Sequence, residues 1–313
     1  MVESKHRWKA WLYLSPAIVL LLIFTVWPII NTVRISFLEG YNSMMAVAGV
    51  PFKVGLDNYK QVLEYKDFLL CLKNTMLLCV LTVPISTILA LLIAVCLNAI
   101  RPLQRFLQTI FFLPYVTNSI AIGMVFAAMF NMVGNAFGTP NEIMITSGII
   151  NNVITAFGGE PINWINAGSS YTANITVMVI YIVWNALPFK ILILLGALQS
   201  INKQYYDAAK VDGTSKVRVF TRITVPLLSP MIAYVVITGF IGGFKEYSSI
   251  IGVFGESRGP IGDSKRLNTM VGFIYDQLAN HQGRASAAAL ILFGIIFVVT
   301  MINLYVSKKK TYY

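Results

Sequence analysis

Apolar residues in this chain gather into six long stretches, at roughly 11–35, 74–98, 106–131, 173–198, 223–244 and 286–306, and the polar residues collect between them. The first contains 23 uncharged residues, 11–33. At ~1.5 Å rise per residue such a helix extends ~35 Å, enough to cross a hydrocarbon core of ~30 Å. A cleaved signal peptide has a shorter core and a small-residue cleavage site. No such site follows this run, so it is read as a retained helix. Pro28, Pro84, Pro114 and Pro188 lie inside the stretches. Membrane helices tolerate internal proline because neighbouring helices satisfy the freed carbonyls. The pattern predicts an all-α, polytopic membrane protein with six transmembrane helices, some kinked. It is read as one membrane domain over 1–313, with no soluble enzyme domain attached.

Composition agrees. The chain is 57% hydrophobic and 12% charged, against about 25% charged in a soluble domain. The net charge of +11 raises the question of nucleic acid, and its placement answers it. With the N-terminus inside, thirteen of the 24 basic residues fall on inner segments with three acids. The outer loops, about 38–73, 132–172 and 245–285, hold nine basic residues and ten acids. This is the positive-inside asymmetry, which puts both termini in the cytoplasm and leaves no nucleic-acid patch.

The densest polar motif lies in the inner segment 201–222, within the run YDAAKVDGTSKVRVFTRITVP at 206–226. Asn202 is a helix-capping type, and Gln204 to Asp212 are mostly adequate helix formers. Gly213 accepts the left-handed turn that ends a helix. Thr214 or Ser215 is placed to cap a second helix running through Val217, Phe220 and Ile223 towards Pro226. Asp207 and Lys210, three apart, share one helix face. On spacing alone this is either an ordinary basic connection or a docking surface for a soluble partner.

Residues 207–226 resemble the "EAA" loop of permease subunits of binding-protein-dependent ABC importers. Asp207-Ala208-Ala209, Asp212-Gly213, Phe220, Ile223 and Pro226 match that pattern, with Asp207 for its usual Glu, Thr214 for Ala and Val225 for Leu. Residues 14–37, VGLDNYKQVL (54–63), Asn74-Thr75, FFLPYV (111–116), Pro161 to Trp164, LGALQSINKQYYDAAKVDG (195–213) and GRASAAALIL (283–292) are similar to carbohydrate-uptake permeases of the type I importer family. The resemblance implies a bacterial plasma-membrane protein that forms half of a translocation path. It implies a second, related but non-identical permease, two cytoplasmic ATP-binding subunits and an extracellular solute-binding protein. Asp207 would meet a basic group of the ATPase, Ala208 and Ala209 would pack in its cleft, and Gly213 would make the turn. ATP and Mg would be bound by that partner, with no cofactor in this chain. The cargo implied is a sugar or oligosaccharide, moved by alternating access.

The chain contains no G-x-x-x-x-G-K-[ST] loop, so it is not expected to hydrolyse ATP. Cys71, Cys79 and Cys96 match no metal spacing and sit far from His6 and His281. Gly239, Gly242 and Gly243 read as close helix packing. Lys190 is expected to snorkel to the cytoplasmic interface, although an intramembrane charge is also a functional suspect. Lys245 and Glu246 form either a neutralised pair or part of a translocation mouth. Tyr115, Asn118, Tyr181, Trp184, Asn185 and Tyr247 are candidates to line a sugar path, where aromatic faces and amides are useful. Interfacial belt or packing roles compete for the same residues. The competing functional reading is a self-sufficient channel or secondary carrier, which needs ion-coupling carboxylates inside the spans.

Overall fold

The computed structural model describes residues 7–100, 104–132, 148–255, 258–260 and 266–310. Its helices in chain order are α1 (Trp8–Ser36), α2 (Ser43–Val47), α3 (Asp57–Glu64), α4 (Lys66–Ala99), α5 (Gln104–Phe112), α6 (Ser119–Phe130) and α7 (Ile149–Ala156). There follow α8 (Tyr171–Ser200), α9 (Lys203–Val211), α10 (Lys216–Gly243), α11 (Ser248–Phe254), α12 (Met270–Leu278) and α13 (Gln282–Lys310). Five of these, α1, α4, α8, α10 and α13, are each long and apolar enough to cross a bilayer alone.

The sixth expected span, 106–131, is not one helix. Two segments, Gln108–Val116 and Ser119–Phe130, meet at a bend of 104°. Sequence periodicity hides this break, but local chemistry explains it. Pro114 stands in a short 3-10 turn over Leu113–Val116, and Thr117 is extended. Asn118 then restarts the helix by accepting the Ile120 amide at 2.8 Å.

Proline acts differently in α1 and α10. Each helix widens to one π turn, at Leu22–Val26 and at Phe220–Thr224, just before Pro28 and Pro226. In both, the residue before proline donates back five positions, Trp27 to Leu22 and Val225 to Phe220. A proline ring clashes with the carbonyl four residues earlier, and the wider turn relieves that clash without ending the helix.

The chain divides into two compact units. The first comprises Met1–Phe68 and Phe273–Phe293. In it the buried Asn58 amide donates to the carbonyls of Ser36 at 3.0 Å and Leu38 at 2.8 Å, fixing α3 to the end of α1. Gly283 lies so close to Asn58 that a methyl group built on it would stand 2.7 Å from the amide nitrogen. Ala285, Ala287 and Ala288 of the small-residue stretch are buried beside it in sequence.

The second unit comprises Leu69–Gly272 and Gly294–Tyr313. Its main core joins Leu78, Phe126, Phe130, Met178, Tyr181, Ile250 and Val253. A further core cluster packs Ala90, Ala94, Leu194, Leu198, Leu228 and Val235. Helices α6 and α11 cross at glycines: a methyl on Gly123 would stand 2.6 Å from the Gly252 backbone. The Asn74-Thr75 pair is buried on α4 rather than at its start. Asn74 donates to the carbonyls of Arg266 and Asn268, both at 2.9 Å, and accepts from the Tyr171 hydroxyl at 2.8 Å. Thr75 accepts the Met270 amide at 2.9 Å. Cys71 and Cys79 are buried free thiols, and among the described residues no group of His, Cys, Asp and Glu is arranged to hold a metal.

Candidate functional site

Two features of the second unit carry candidate function: the polar connection between α8 and α10, and a cavity between the helices that the connection joins. In the connection, Asn202 accepts the Gln204 amide at 3.0 Å and so caps α9. The far end closes with Gly213 at φ 64, where the Thr214 amide reaches the Ala209 carbonyl at 2.9 Å and the Gly213 amide reaches Lys210 at 3.1 Å. This pair of hydrogen bonds satisfies two of the last carbonyls of α9. Ser215 takes the extended conformation of a cap, without a side-chain bond, and α10 begins at Lys216.

α9 has two faces. Ala209 is buried, and the Tyr206 hydroxyl lies 3.3 Å from that of Thr224 on α10. The other face presents Asp207, Ala208 and Lys210 to the outside, with Lys210 and Asp207 paired at 3.2 Å. The expectation that Ala208 and Ala209 share an outward role is therefore corrected. Helical spacing turns Ala209 inwards, and only Ala208 is available to another protein. Asp212 and Gly213 are exposed, while Phe220 and Pro226 are half-buried where the connection enters α10. Val211 and Val217 are exposed apolar side chains at the turn.

The cavity has a volume of about 290 Å³ and draws its walls from α4, α8, α10 and the turn after α5. Lys190 on α8 is only 4% exposed. Its ammonium donates to the Ser86 hydroxyl at 2.7 Å, the Thr87 hydroxyl at 2.9 Å and the Val83 carbonyl at 3.2 Å. Those bonds use its three donors. Lys190 therefore does not snorkel: its acceptors lie inside the unit, on a neighbouring helix. Gly239 makes this possible, since a methyl there would stand 3.2 Å from the ammonium nitrogen and 3.1 Å from Val83. Gly243 likewise admits the Cys79 thiol, whereas a methyl built on Gly242 would meet nothing within 4 Å, and Gly242 lines the cavity.

Of the candidate path residues, Tyr115 and Asn185 line this cavity. Tyr115 stacks on Phe189, with ring centroids 5.7 Å apart and planes 19° apart. Tyr181 does not line a path. It is fully buried, its hydroxyl donates to the Ser119 carbonyl at 2.6 Å, and its ring meets Phe126 edge-on. Trp184 packs on Phe126, Asn118 caps α6, and Tyr247 precedes α11; none of the three is in the cavity wall. Lys245 and Glu246 do not form a pair either. Lys245 is exposed, while Glu246 lines the cavity and accepts the Ser249 amide at 3.3 Å. Burial pushes the Glu246 carboxyl above its ordinary value, and hydrogen bonds from Ser249 and the Tyr247 backbone oppose that shift.

Sequence reasoning missed Thr82, Ser86 and Thr87, the hydroxyl-bearing stripe of α4. Its signal was a recurrence at i, i+4 and i+5 within the apolar stretch of α4 that follows Thr75, facing the lone charge of α8.

Residues 82–312 match the family described as "Binding-protein-dependent transport system inner membrane component". The chain is 31% identical over 300 residues to the arabinooligosaccharides transport system permease protein AraP of Halalkalibacterium halodurans, covering 94% of this chain and 86% of that protein. It is 28% identical over 300 residues to the lactose transport system permease protein LacF of Rhizobium radiobacter, covering 94% and 91%. In fold it is similar to a chain of a bacterial ABC transporter involved in the import of the acidic polysaccharide alginate. That match has a TM-score of 0.78 at 20% identity and covers 98% of each chain.

Proposed function

The chain belongs to the family of binding-protein-dependent transport system inner membrane components, multi-pass cell-membrane permease subunits, and from that premise we propose that it imports a sugar or oligosaccharide as one half of an ATP-driven transporter. The observation that carries the coupling role is the α9–Gly213–α10 connection. It offers an exposed acidic-alanine face on a helix whose other face is fastened to its own span. A partner ATPase would receive Ala208 in a cleft and Asp207 at a basic group. The exposed Val211 and Val217 add apolar anchors beside them. Two such ATPase subunits, a related non-identical second permease and an extracellular binding protein complete the assembly. The connection and both termini then face the cytoplasm, as the distribution of basic residues supports.

The cavity beside Lys190 is the proposed cargo station. Its stacked Tyr115 and Phe189 offer an aromatic wall, and Asn185, Thr238 and Glu246 supply hydrogen-bonding groups. That mixture suits a polyhydroxylated solute, because a site built from placed polar groups on an apolar wall fixes orientation. Closure of the ATPases would move α9, and α10 would carry the movement to the cavity, alternating its access. A self-sufficient carrier is not favoured, since the family depends on a binding protein.

The test is recovery of cytoplasmic partners with wild type, Asp207→Lys and Gly213→Asp, with ATPase activity assayed on the recovered material. Wild type is expected to retain an ATPase that the variants lose or uncouple. An ATPase recovered equally with all three, or with none, would overturn the coupling role.

A further inference from the structure

We propose that Lys190 makes the cavity a subsite for an anionic group, a carboxylate or a phosphate, carried by the saccharide cargo. The inference rests on the cavity being the cargo station and names the chemistry it selects.

The ammonium is buried, and all three of its acceptors are uncharged. The Ser86 and Thr87 hydroxyls donate their own protons to backbone carbonyls of α4, which leaves their oxygen lone pairs aimed at Lys190. They orient the ammonium and supply no negative charge. Glu246 lines the same cavity but turns to the Ser249 amide, and no carboxylate among the described residues comes within ion-pair distance of Lys190. A buried charge without a counter-charge is costly, and proteins ordinarily pair it. Here the described residues supply no such partner, while open space stands beside the cation.

That space is maintained by the backbone. Gly239 has no side chain where a methyl would approach the ammonium to 3.2 Å, and Gly242 leaves another stretch of α10 bare. An anionic substituent entering there completes the ion pair in a medium of low dielectric, where the attraction is far stronger than in water. Asn185 and Thr238 line the same cavity and would take neutral hydroxyls of the cargo. A neutral sugar would satisfy those groups and leave the cation uncompensated, which is how the site would discriminate.

The test is equilibrium binding to the purified, fully assembled transporter. Two matched pairs serve as probes: digalacturonate against galactobiose, and lactose 6-phosphate against lactose. Wild type is expected to prefer the anionic member of at least one pair by tenfold or more, and the pair that responds identifies carboxylate or phosphate. Lys190→Met should abolish the preference and Lys190→Arg should retain most of it. Gly239→Ala keeps the charge but intrudes on the space, and should weaken anionic binding several-fold while the protein stays folded. Equal binding of both members of both pairs by wild type, or an undiminished preference in Lys190→Met, would overturn the inference. ATP-dependent saccharide uptake without any such preference removes this inference alone. Absence of ATP-dependent uptake of any saccharide removes the importer reading itself.

Discussion

The Lys190 ammonium stands 2.7 Å from the Ser86 hydroxyl, so two membrane helices, α8 and α4, are joined by a charge and not only by apolar packing. Removing both side-chain acceptors with Ser86→Ala and Thr87→Val leaves that charge buried with one carbonyl. Hydrogen bonds to charged groups contribute about 1.5–3 kcal/mol each, so the double variant should lose roughly 3–6 kcal/mol of stability. Adding Lys190→Met should recover much of the loss, because the unpaired charge goes with it. Thermal unfolding of the four proteins in detergent closes the cycle. Additive losses would show that the three groups do not act together.

The crossing of α6 and α11 tolerates no side chain. Gly123→Ala would put a methyl 2.6 Å from the Gly252 backbone, and backbone cannot rotate out of the way as a flexible side chain does. Overpacking of this kind costs about 1–3 kcal/mol, and more where the contact is backbone. Folded yield and melting temperature are expected to fall for Gly123→Ala and further for Gly123→Val. Gly196, on α8, where a methyl would meet nothing within 4 Å, serves as the control that should accept alanine with little change.

At Gly213 the constraint is conformational. Its φ of 64 sits in the left-handed region, and there is free space around it. Alanine there should cost about 1–2 kcal/mol in the turn, and asparagine less. Because the turn is exposed, global stability should change little while partner ATPase stimulation falls, in the order glycine, asparagine, alanine. A reversed order would mean that the turn conformation is not what the partner reads.

The Asp207–Lys210 pair is exposed on both sides, so its own contribution to stability is small, about 0.5 kcal/mol or less. Asp207→Asn should therefore leave the melting temperature nearly unchanged. Affinity for the ATPase should drop at least tenfold, with the effect shrinking at high salt. An unchanged affinity would assign Asp207 to the helix surface alone.

Much of this was legible in the sequence because membrane helices announce themselves by long apolar runs, and because capping chemistry is local. Asn202, Asp212 and Gly213 delimit α9 by short-range bonds, so reading them required no knowledge of the tertiary fold. The break between α5 and α6 was not legible as a break, since hydropathy runs straight through Pro114 and Asn118. A proline inside an apolar run leaves α8 continuous through Pro188, goes with a π turn in α10 and stands at a 104° bend here. The neighbours decide among these outcomes. Lys190 was misjudged for a related reason. Snorkelling is the default for a lone membrane lysine, and only the fold brings α4's hydroxyls to meet it. Tyr181 and Tyr115 are alike in composition and pattern, yet one is sealed in the core by Phe126 and Ser119 while the other faces the cavity.

Helix α10 is unbroken from Lys216 to Gly243, and it carries at one end the Thr224 contact with α9 and further along the bare backbone of Gly239 beside Lys190. From Thr224 to Gly239 the helix rises ~22 Å at ~1.5 Å per residue. No loop interrupts the helix between these two residues. If the part moves as a rigid rod, a tilt about a point between Thr224 and Gly239 shifts the two in opposite directions, so the space beside the cation would open or shut with the position of a surface helix ~22 Å away.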